Sequence, residues 1–440
     1  MKALLIPALL AAAGIGVLFF LQPLLYRLAV LAYGLAIRCS ALLNPKARAW
    51  VKGRHGLHDS IRRAAPPQGK TCVWVHCASL GEFEQGRPVI EGFRKAHPDA
   101  HLVLTFFSPS GYTVRKEYPE VDAVLYLPLD TPANATFFLD TIKPNLAVFV
   151  KYEFWYFYLS GLRTRNIPTL LISAAFRKKQ LFFRWFGRLH RTMLRSFTQV
   201  FVQNDASLQL MQKHGYTNGI LAYDTRFDRV QAIADQHREI PEIETFTEGF
   251  NVLVAGSTWP RDERLLSHAM YHSLVYVNFK LILAPHHIDA RSMRRTMRKF
   301  KKFTVRWSEI STLTEEEFRS KRILIMDNMG MLAFLYRYGD VNYVGGGFNK
   351  GVHNTLEAAV YGKPVLFGPK YKQFQEAQDL VKDNAAMDIT SEDDLLNRIN
   401  LMNQFPFVRT GAGSNAVKYV REHTGGTHII LQAITGILRS

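Results

Sequence analysis

VWVHCASLGEFEQG, residues 73–86, is the stretch that decides the fold of the first half of the chain. Its first four residues form an apolar run typical of a buried β-strand, and small residues follow the run. Gly81 and Glu82 come next, and apolar residues then recur at helical spacing through Phe93. This order predicts a strand, a tight turn and a helix, with Glu82 in the turn. In an open parallel sheet such a turn lies at the carboxyl ends of the strands, where ligands bind.

Further apolar runs of strand length lie on both sides of a polar, proline-containing segment at residues 238–251. TCVWVH, HLVLTFF, AVLYLPL, LAVFVKYE, PTLLISA and QVFVQN precede it, and NVLVAGST, KLILAP, RILIMDN, VNYVGGG and KPVLFGP follow it. Continuous apolar runs that alternate with helical patterns indicate parallel sheets covered on both faces. We therefore predict an α/β protein with two Rossmann-like domains facing a cleft. The predicted boundaries are an anchor at 1–33, domains at 34–235 and 251–440, and a linker at 236–250.

The N-terminal segment is strongly apolar, with no charged residue from Ala3 to Leu21. A stretch of this length can span a bilayer, so we predict a membrane anchor, with a cleaved signal peptide as the alternative. Lysines and arginines outnumber acids on its C-terminal side, where the first acid is Asp59. By the positive-inside rule the main body lies in the cytoplasm.

The composition narrows the class of partner. The chain has 440 residues, a formal net charge of +18 and three cysteines. So basic a chain suggests nucleic acid, an anionic membrane surface or acidic substrates. No nucleic-acid motif is recognisable, and the apolar N-terminus also counts against nucleic acid. The cysteines indicate buried free thiols rather than a disulfide framework.

Two basic stretches stand out. FRKKQLFFRWFGRLHRTMLRSF, residues 176–197, combines cations with Phe and Trp and contains no acid. It fits an anionic membrane surface, single-stranded nucleic acid, or a surface helix with one face packed inside. For RSMRRTMRKFKKF, residues 291–303, we expect a solvated helix face.

The second half carries turns typical of phosphate binding. Gly256, Ser257 and Thr258 follow a strand, with hydroxyls placed to cap the next helix and backbone N–H groups free for a phosphate. HNTLEAAVYGKPVLFGP, residues 353–369, predicts a helix that opens at His353 and carries Glu357. This layout resembles nucleotide-sugar transferases with two Rossmann domains (GT-B). His286, His287 and His353 match no standard metal-ligand spacing, so no metal site is predicted.

The chain as a whole resembles the 3-deoxy-D-manno-octulosonic acid (Kdo) transferases of lipopolysaccharide synthesis. The matching pieces are HCASLGEFEQGRPVI, TFFSPSGY, YDTRFDRV, AGSTWPRDE, HNTLEAAVYGKPVLFGP and FQEA, in the family's order. The resemblance implies a GT-B fold and inverting transfer of Kdo from CMP-Kdo to the lipid A precursor lipid IVA. It also implies that no metal or other cofactor is needed, and that the protein works at the cytoplasmic face of the inner membrane.

Family positions imply roles for individual residues. Glu82 matches the catalytic base, and a helix-capping carboxylate is the alternative role. Glu153 and Lys179 match an acidic and a basic position that stabilise charge. The positions that correspond to the CMP-binding site are Gly256, Ser257, Pro285, His286, Gly330, Met331, Leu332, Asn354, Thr355, Leu356 and Glu357.

Three positions depart from the family pattern. His286 stands where the family often has arginine, and a neutral imidazole cannot reproduce a bidentate guanidinium grip on phosphate. Met331 stands at a frequent glutamate, and Thr355 at a frequent proline. Two other functions remain open: a membrane-associated GT-B transferase that uses a UDP-sugar, and a non-catalytic lipid A-binding protein.

Overall fold

The computed structural model describes residues 21–272, 279–301 and 303–439, and the chain forms two α/β units. The first unit contains the described residues up to Asp228 and those from Gly425 onward, and the second is Arg229–Thr424. The predicted α/β class is confirmed, since each unit is built around one parallel sheet.

The sheet of the first unit has seven parallel strands in the order β3-β2-β1-β4-β5-β6-β7. The strands are β1 Cys72–Cys77, β2 His101–Phe106, β3 Ala123–Tyr126, β4 Leu146–Val150, β5 Thr169–Ala174, β6 Gln199–Val202 and β7 Gly219–Leu221. The helices are α1 Gln22–Ser40, α2 Pro45–Lys52, α3 Leu57–Arg63, α4 Leu80–Ala96, α5 Pro109–Arg115, α6 Pro132–Ile142, α7 Tyr156–Thr164, α8 Arg188–Leu194 and α9 Asp205–Lys213. The division between the units falls within α10, Arg226–Ala234.

The sheet of the second unit also has seven parallel strands, in the order β10-β11-β9-β8-β12-β13-β14. They are β8 Asn251–Thr258, β9 Phe279–Pro285, β10 Thr304–Arg306, β11 Ile323–Ile325, β12 Val341–Val344, β13 Val365–Phe367 and β14 Ala386–Asp388. The helices are α11 Pro241–Thr247, α12 Pro260–His272, α13 Ala290–Lys299, α14 Glu315–Ser320, α15 Leu332–Leu335, α16 Leu356–Ala359, α17 Gln375–Lys382, α18 Glu392–Gln404 and α19 Pro406–Glu422. The last helix of the chain, α20 Gly426–Arg439, belongs to the first unit.

Strand β1 shows how the first sheet is covered on both faces. Val73 and Val75 belong to one hydrophobic cluster, whereas Cys72 and Trp74 belong to another. Side chains alternate across a strand, so the two clusters lie on opposite faces of the sheet. All six residues of the strand are buried, as the continuous apolar run predicts.

The division into units differs from the sequence prediction in two places. The C-terminal helix α20 was expected in the second domain, but Ile430 and Ile434 are buried in the core of the first unit. The backbone N–H of Thr427 also donates to Asp228, at 2.7 Å. The segment expected as a linker, residues 236–250, contains helix α11, which buries Ile243 and Phe246.

The predicted anchor lies mostly beyond the described part of the chain. Residues 1–20 fall outside the described residues, and α1 begins at Gln22. Among the described residues, no single helix is long and apolar enough to cross a membrane. The pair α1 and α2, bent by 117°, passes the same test of length and composition together.

Candidate functional site

Glu82 lies in the first turn of α4, directly after the central strand β1. Ser79 caps the helix, because its hydroxyl oxygen accepts the N–H of Gly81 at 3.2 Å. The same hydroxyl group donates to the carboxylate of Glu82, whose side chain is half-buried. The predicted strand, turn and helix are therefore present, and the carboxylate lies at the carboxyl end of β1.

Glu153 follows strand β4 and lies against the side chains of His76 and Trp155. Its Oε2 lies 3.1 Å from Nε2 of the fully buried His76 and accepts the indole N–H of Trp155 at 2.8 Å. On the other side of the imidazole, Nδ1 of His76 lies 2.8 Å from Oγ1 of Thr105. That hydroxyl oxygen accepts the indole N–H of Trp74 at 2.8 Å. The indole N–H of Trp155 also lies 3.1 Å from Nε2 of His76, so the tautomer of His76 decides whether this nitrogen donates to Glu153 or accepts from Trp155.

The two carboxylates lie near the same thiol. Burial raises the pKa of Cys77, and the nearby charges of Glu82, Glu153 and Glu84 raise it further. Burial also raises the pKa of Tyr152, with Arg177 opposing this rise and Glu82 adding to it. The structure thus groups Glu82 and Glu153 at one edge of the first sheet, together with a tyrosine and a cation that the sequence analysis did not single out.

Lys179 does not join this group through any described contact. It is exposed in the segment after β5, and its side chain forms no hydrogen bond or ion pair with the residues that the structure describes. Arg177, two residues earlier, is the cation that lies close enough to Tyr152 to affect its pKa. For charge stabilisation Arg177 is therefore the better-placed cation.

Asp224, in the YDTRFDRV piece, is the centre of a buried polar network. Its Oδ2 accepts the side-chain N–H groups of Gln85 at 2.8 Å and Gln203 at 2.7 Å. Arg226 donates to the same oxygen at 2.8 Å. Burial opposes ionisation, but Arg226 and these donors hold the pKa of Asp224 below its usual range. The network fixes α4, which carries Glu82, to the segment after β7.

In the second unit, the side chain of Tyr336 lies close to both Gly256 and Glu357. A Cβ atom at Gly256 would lie 2.1 Å from the hydroxyl oxygen of Tyr336 and 2.5 Å from Cδ1 of Leu332, so only glycine fits. Burial raises the pKa of Tyr336, and the charge of Glu357 adds to the shift. The structure therefore brings together Gly256, Leu332 and Glu357, three of the residues expected to bind CMP.

Ser257 and Thr258 do not take the capping role expected of them. Ser257 has a left-handed backbone, with φ 52°, and the hydroxyl of Thr258 is buried without a hydrogen-bond partner in the described structure. Asp262 takes the capping role instead, because its Oδ2 accepts the backbone N–H of Trp259 at 2.8 Å.

The segment after His353 also differs from its prediction. Helix α16 begins at Leu356 and has four residues, whereas the sequence predicted a helix that opens at His353. Asn354 precedes it and donates from Nδ2 to Glu357, at 3.0 Å. Thr355 and Leu356 are fully buried, so neither side chain is available to a ligand. A helix of one short turn has a small macrodipole, so its N-terminus attracts a phosphate less strongly than the predicted longer helix would.

Gly330 and Met331 lie in the turn before α15. Gly330 has φ 90°, a left-handed conformation that favours glycine. The amide nitrogen of Asn328 lies 2.8 Å from the sulfur of Met331. Met331, which the sequence placed in the CMP-binding site, is partly buried. It lies at the start of the helix that brings Leu332 close to Gly256.

Three aromatic rings stack between the ends of β8 and β9 and the loop after β12. The ring of His286 stacks on both Trp259, at 4.7 Å, and His353, at 4.5 Å, and those two rings lie 6.3 Å apart and nearly parallel. The indole N–H of Trp259 donates to Nε2 of His353 at 2.9 Å, so that nitrogen carries no proton. Burial, with His353 and His287 nearby, lowers the pKa of His286 to about 4. The imidazole is therefore neutral at pH 7.

Pro285 completes β9, and the N–H of the next residue, His286, donates to the carbonyl of Thr258 at 2.9 Å. The sequence analysis named His286 but missed Trp259, whose partner His353 is far away in sequence. Within the described ranges, no group of three or more His, Cys, Asp or Glu side chains is arranged to hold a metal ion.

The comparison with known proteins begins with a family match. Residues 51–229 match the family model described as 3-deoxy-D-manno-octulosonic-acid transferase (kdotransferase). The matched segment contains Glu82, Glu153 and Lys179, together with the Asp224 network.

Curated relatives align over most of their lengths. A 3-deoxy-D-manno-octulosonic acid transferase of Rickettsia typhi is 25% identical, covering 80% of this chain and 77% of the relative. The enzyme of the same name from Haemophilus influenzae is also 25% identical, over 81% of this chain and 83% of the relative. The enzyme of that name from Aquifex aeolicus is 25% identical, and the alignment covers 78% of this chain and 90% of the relative.

Solved structures share the fold at lower identity. UDP-GlcNAc 2-epimerase from Neisseria meningitidis, bound to UDP-GlcNAc, has a TM-score of 0.54 at 15% identity and covers 80% of this chain and 99% of its own. MurG of Acinetobacter baumannii has a TM-score of 0.50 at 10% identity, and the superposition covers 83% of this chain and 99% of MurG. At these identities the likeness concerns the fold alone.

Proposed function

Because residues 51–229 match the Kdo transferase family model and relatives of that name align over most of the chain, we propose that the protein transfers Kdo from CMP-Kdo to the lipid A precursor lipid IVA. The transfer inverts the anomeric carbon and uses no metal or other cofactor. The observation that carries the proposal is the carboxylate of Glu82 at the end of β1, inside the segment that matches the family.

Glu82 acts as the general base. An inverting transfer needs a group that takes the proton from the acceptor hydroxyl while the oxygen attacks the anomeric carbon. The described contacts give the Glu82 carboxylate one hydrogen-bond donor, the Ser79 hydroxyl, and its side chain is half-buried. It therefore keeps capacity for a proton from a substrate.

Glu153 holds charge in place rather than moving a proton. The indole N–H of Trp155 and the buried ring of His76 both contact the same oxygen, which fixes the orientation of the carboxylate. A preorganised group of this kind stabilises charge without reorganising during the reaction. Arg177 and Lys179 supply positive charge on the segment after β5, where the anionic substrates bind.

The second unit binds CMP-Kdo. The carboxylate of Glu357 accepts hydrogen bonds from the ribose hydroxyls, with Asn354 orienting it. The phosphate meets the imidazole of His286 instead of a guanidinium, so at this position it is contacted by a ring N–H rather than by a bidentate fork. Ser257 and the backbone after Gly256 complete the donor site.

The protein works on the cytoplasmic face of the inner membrane. Helix α1 exposes Leu28 and Leu35, and the 181–186 segment exposes Trp185. The side chain of Gln22 joins them, because it donates to the carbonyl of Phe186 at 3.1 Å and accepts the N–H of Leu189 at 2.9 Å. An apolar surface of this kind among arginines fits the headgroup region of a bilayer that contains the lipid acceptor.

A donor panel tests the proposed function. The full-length protein, in detergent, is incubated with tetra-acylated lipid A precursor and with CMP-Kdo or a UDP-sugar, in the presence and absence of a chelator. We expect a glycolipid whose mass has increased by Kdo, from CMP-Kdo only and with or without the chelator. Transfer from a UDP-sugar, or binding of the lipid without any transfer, would contradict the proposal.

A further inference from the structure

Helix α13 presents a face made of arginines. Arg291, Arg294, Arg295 and Arg298 follow the spacing that places residues on one side of a helix, and all four are exposed. The opposite side buries Met293 and Thr296. The arginine face is thus held outward by the packing of the helix on the second unit.

No acidic partner among the described residues neutralises these arginines. The side chains of Arg291, Arg294, Arg295 and Arg298 form no ion pair or hydrogen bond with any residue that the structure describes. By contrast, the adjacent Lys299 pairs with the buried Glu263. Like charges three and four residues apart destabilise a helix, so the fold does not explain this cluster.

The arginine face is concave and has an apolar side. The four arginines line a groove of about 520 Å³. A second groove of about 590 Å³ shares Arg294 and Arg298 and is also lined by Met293, Met297 and the ion pair of Arg306 with Glu309. Beyond the helix, Lys301 is exposed, and Phe303 is 62% exposed. Cations beside apolar side chains and an exposed aromatic ring match the boundary between phosphate headgroups and acyl chains.

We propose that the arginine face of α13 docks on an anionic phospholipid surface, with guanidinium groups on lipid phosphates. Guanidinium groups bind phosphate oxygens in a bidentate manner, and the face presents four that no described residue pairs. Nucleic acid fits less well, because neither groove is lined by an aromatic side chain on which bases could stack, and one is lined by methionines. The surface lies in the second unit, outside the Glu82 and Glu357 sites, so it adds a membrane contact that transfer chemistry does not require.

The test is hydrogen exchange of the 290–299 amides in the full-length protein. The protein is added to vesicles of phosphatidylcholine alone or mixed with phosphatidylglycerol. A basic residue near an anionic surface contributes about fivefold to the docked population, so exchange should be at least about fivefold slower with the anionic lipid. High salt should remove the difference.

Two charge-matched variants locate the effect. The first replaces the arginine face, Arg291→Gln, Arg294→Gln, Arg295→Gln and Arg298→Gln. The second replaces four scattered exposed cations of the same unit, Lys372→Gln, Lys382→Gln, Lys418→Gln and Arg421→Gln. We expect protection by anionic lipid to disappear in the first variant and to remain in the second. Equal protection by both lipids, equal loss in both variants, or protection by a single-stranded oligonucleotide instead of vesicles would overturn the proposal.

Discussion

At the scale of single residues, the two carboxylates of the first unit have different surroundings. Glu153 accepts the indole N–H of Trp155 and contacts the buried ring of His76, whereas Glu82 is held through one flexible hydroxyl. A base has to accept a proton and then release it, and a carboxylate fixed between two rigid rings does this less readily. The surroundings therefore favour Glu82 as the base and Glu153 as the fixed charge.

Residue roles were predictable from sequence only where local order defines them. Glu82 follows a strand and a glycine, so its place at a strand end follows from a few neighbouring residues. The indole of Trp259 meets His353, 94 positions further along the chain, and no local pattern signals such a contact. The burial of Thr355 likewise results from the packing of the second unit, which single-residue matching does not reveal.

On the donor side, Glu357→Ala tests the contact to ribose. Removing a charged hydrogen-bond partner costs about 1.5–3 kcal/mol, so kcat/KM for CMP-Kdo should fall roughly tenfold to a hundredfold. The KM for the lipid acceptor should stay the same. Glu239→Ala, an exposed carboxylate of the same unit, is the matched control. Steady-state kinetics with each substrate varied in turn measure the effect, and an unchanged kcat/KM for CMP-Kdo would remove Glu357 from the donor site.

At the scale of elements, α1 is attached to the first unit through a buried carboxyl group. The hydroxyl of Tyr26 donates to Asp130 at 2.6 Å, and the backbone N–H groups of Phe157 and Tyr158 donate to the same carboxylate at 3.1 Å. Burial raises the pKa of Asp130 to about 6, although these three donors oppose the shift. The junction of α1 with the sheet domain is therefore sensitive to pH.

Tyr26→Phe should expose this dependence on pH. Between about pH 4, where an unfolded aspartate titrates, and about pH 6, the folded carboxyl binds more protons than the unfolded one. Its contribution to the free energy of unfolding therefore falls as the pH rises through this window. The Tyr26 hydroxyl supports the ionised form and also accepts the backbone N–H of Tyr156 at 3.3 Å, so its loss should cost about 1.5–3 kcal/mol more above pH ~7 than at pH ~4.

Urea-unfolding midpoints of the wild type and the variant at both pH values measure this difference. Tyr33→Phe is the control, because Tyr33 lies on the same helix with half of its side chain exposed and stacks on Phe107. The control should shift neither midpoint. A Tyr26→Phe loss that is equal at the two pH values would show that the hydroxyl does not act through the ionised Asp130.

The sequence predicted the long, buried strands and did not predict the short strands at the sheet edges. Every strand of four or more residues coincides with one of the apolar runs from which strands were predicted. The strands β7, β10 and β14 went unpredicted: each has three residues and lies at a sheet edge, where short pairing needs no apolar run. Helix α16 begins at Leu356 rather than at the predicted His353, and the hydrophobic pattern of the sequence does not mark this later start.

At the scale of the whole molecule, two parallel sheets of seven strands separate the two halves of the proposed reaction. The unit that contains the family-matched segment carries the proposed base, and the other unit carries the residues expected to bind the donor. The two sheets could be predicted from alternating patterns. The return of α20 to the first unit could not, because an amphipathic helix fits either core, and only the burial of residues such as Ile430 identifies the one it joins.

The turnover of Glu82→Gln tests the assignment of the base to the first unit most directly. Glutamine keeps the shape of the side chain but cannot take the proton, and loss of a general base costs about 10²–10⁴-fold in rate. Glu84→Gln, on the same helix and paired with Arg115 at 2.9 Å, is the matched control. We predict that Glu82→Gln keeps its melting temperature and binds CMP normally, but transfers Kdo at least about a hundredfold more slowly than the wild type and the control. Near-normal transfer by Glu82→Gln, or a lower melting temperature that accounts for the whole loss, would contradict the account.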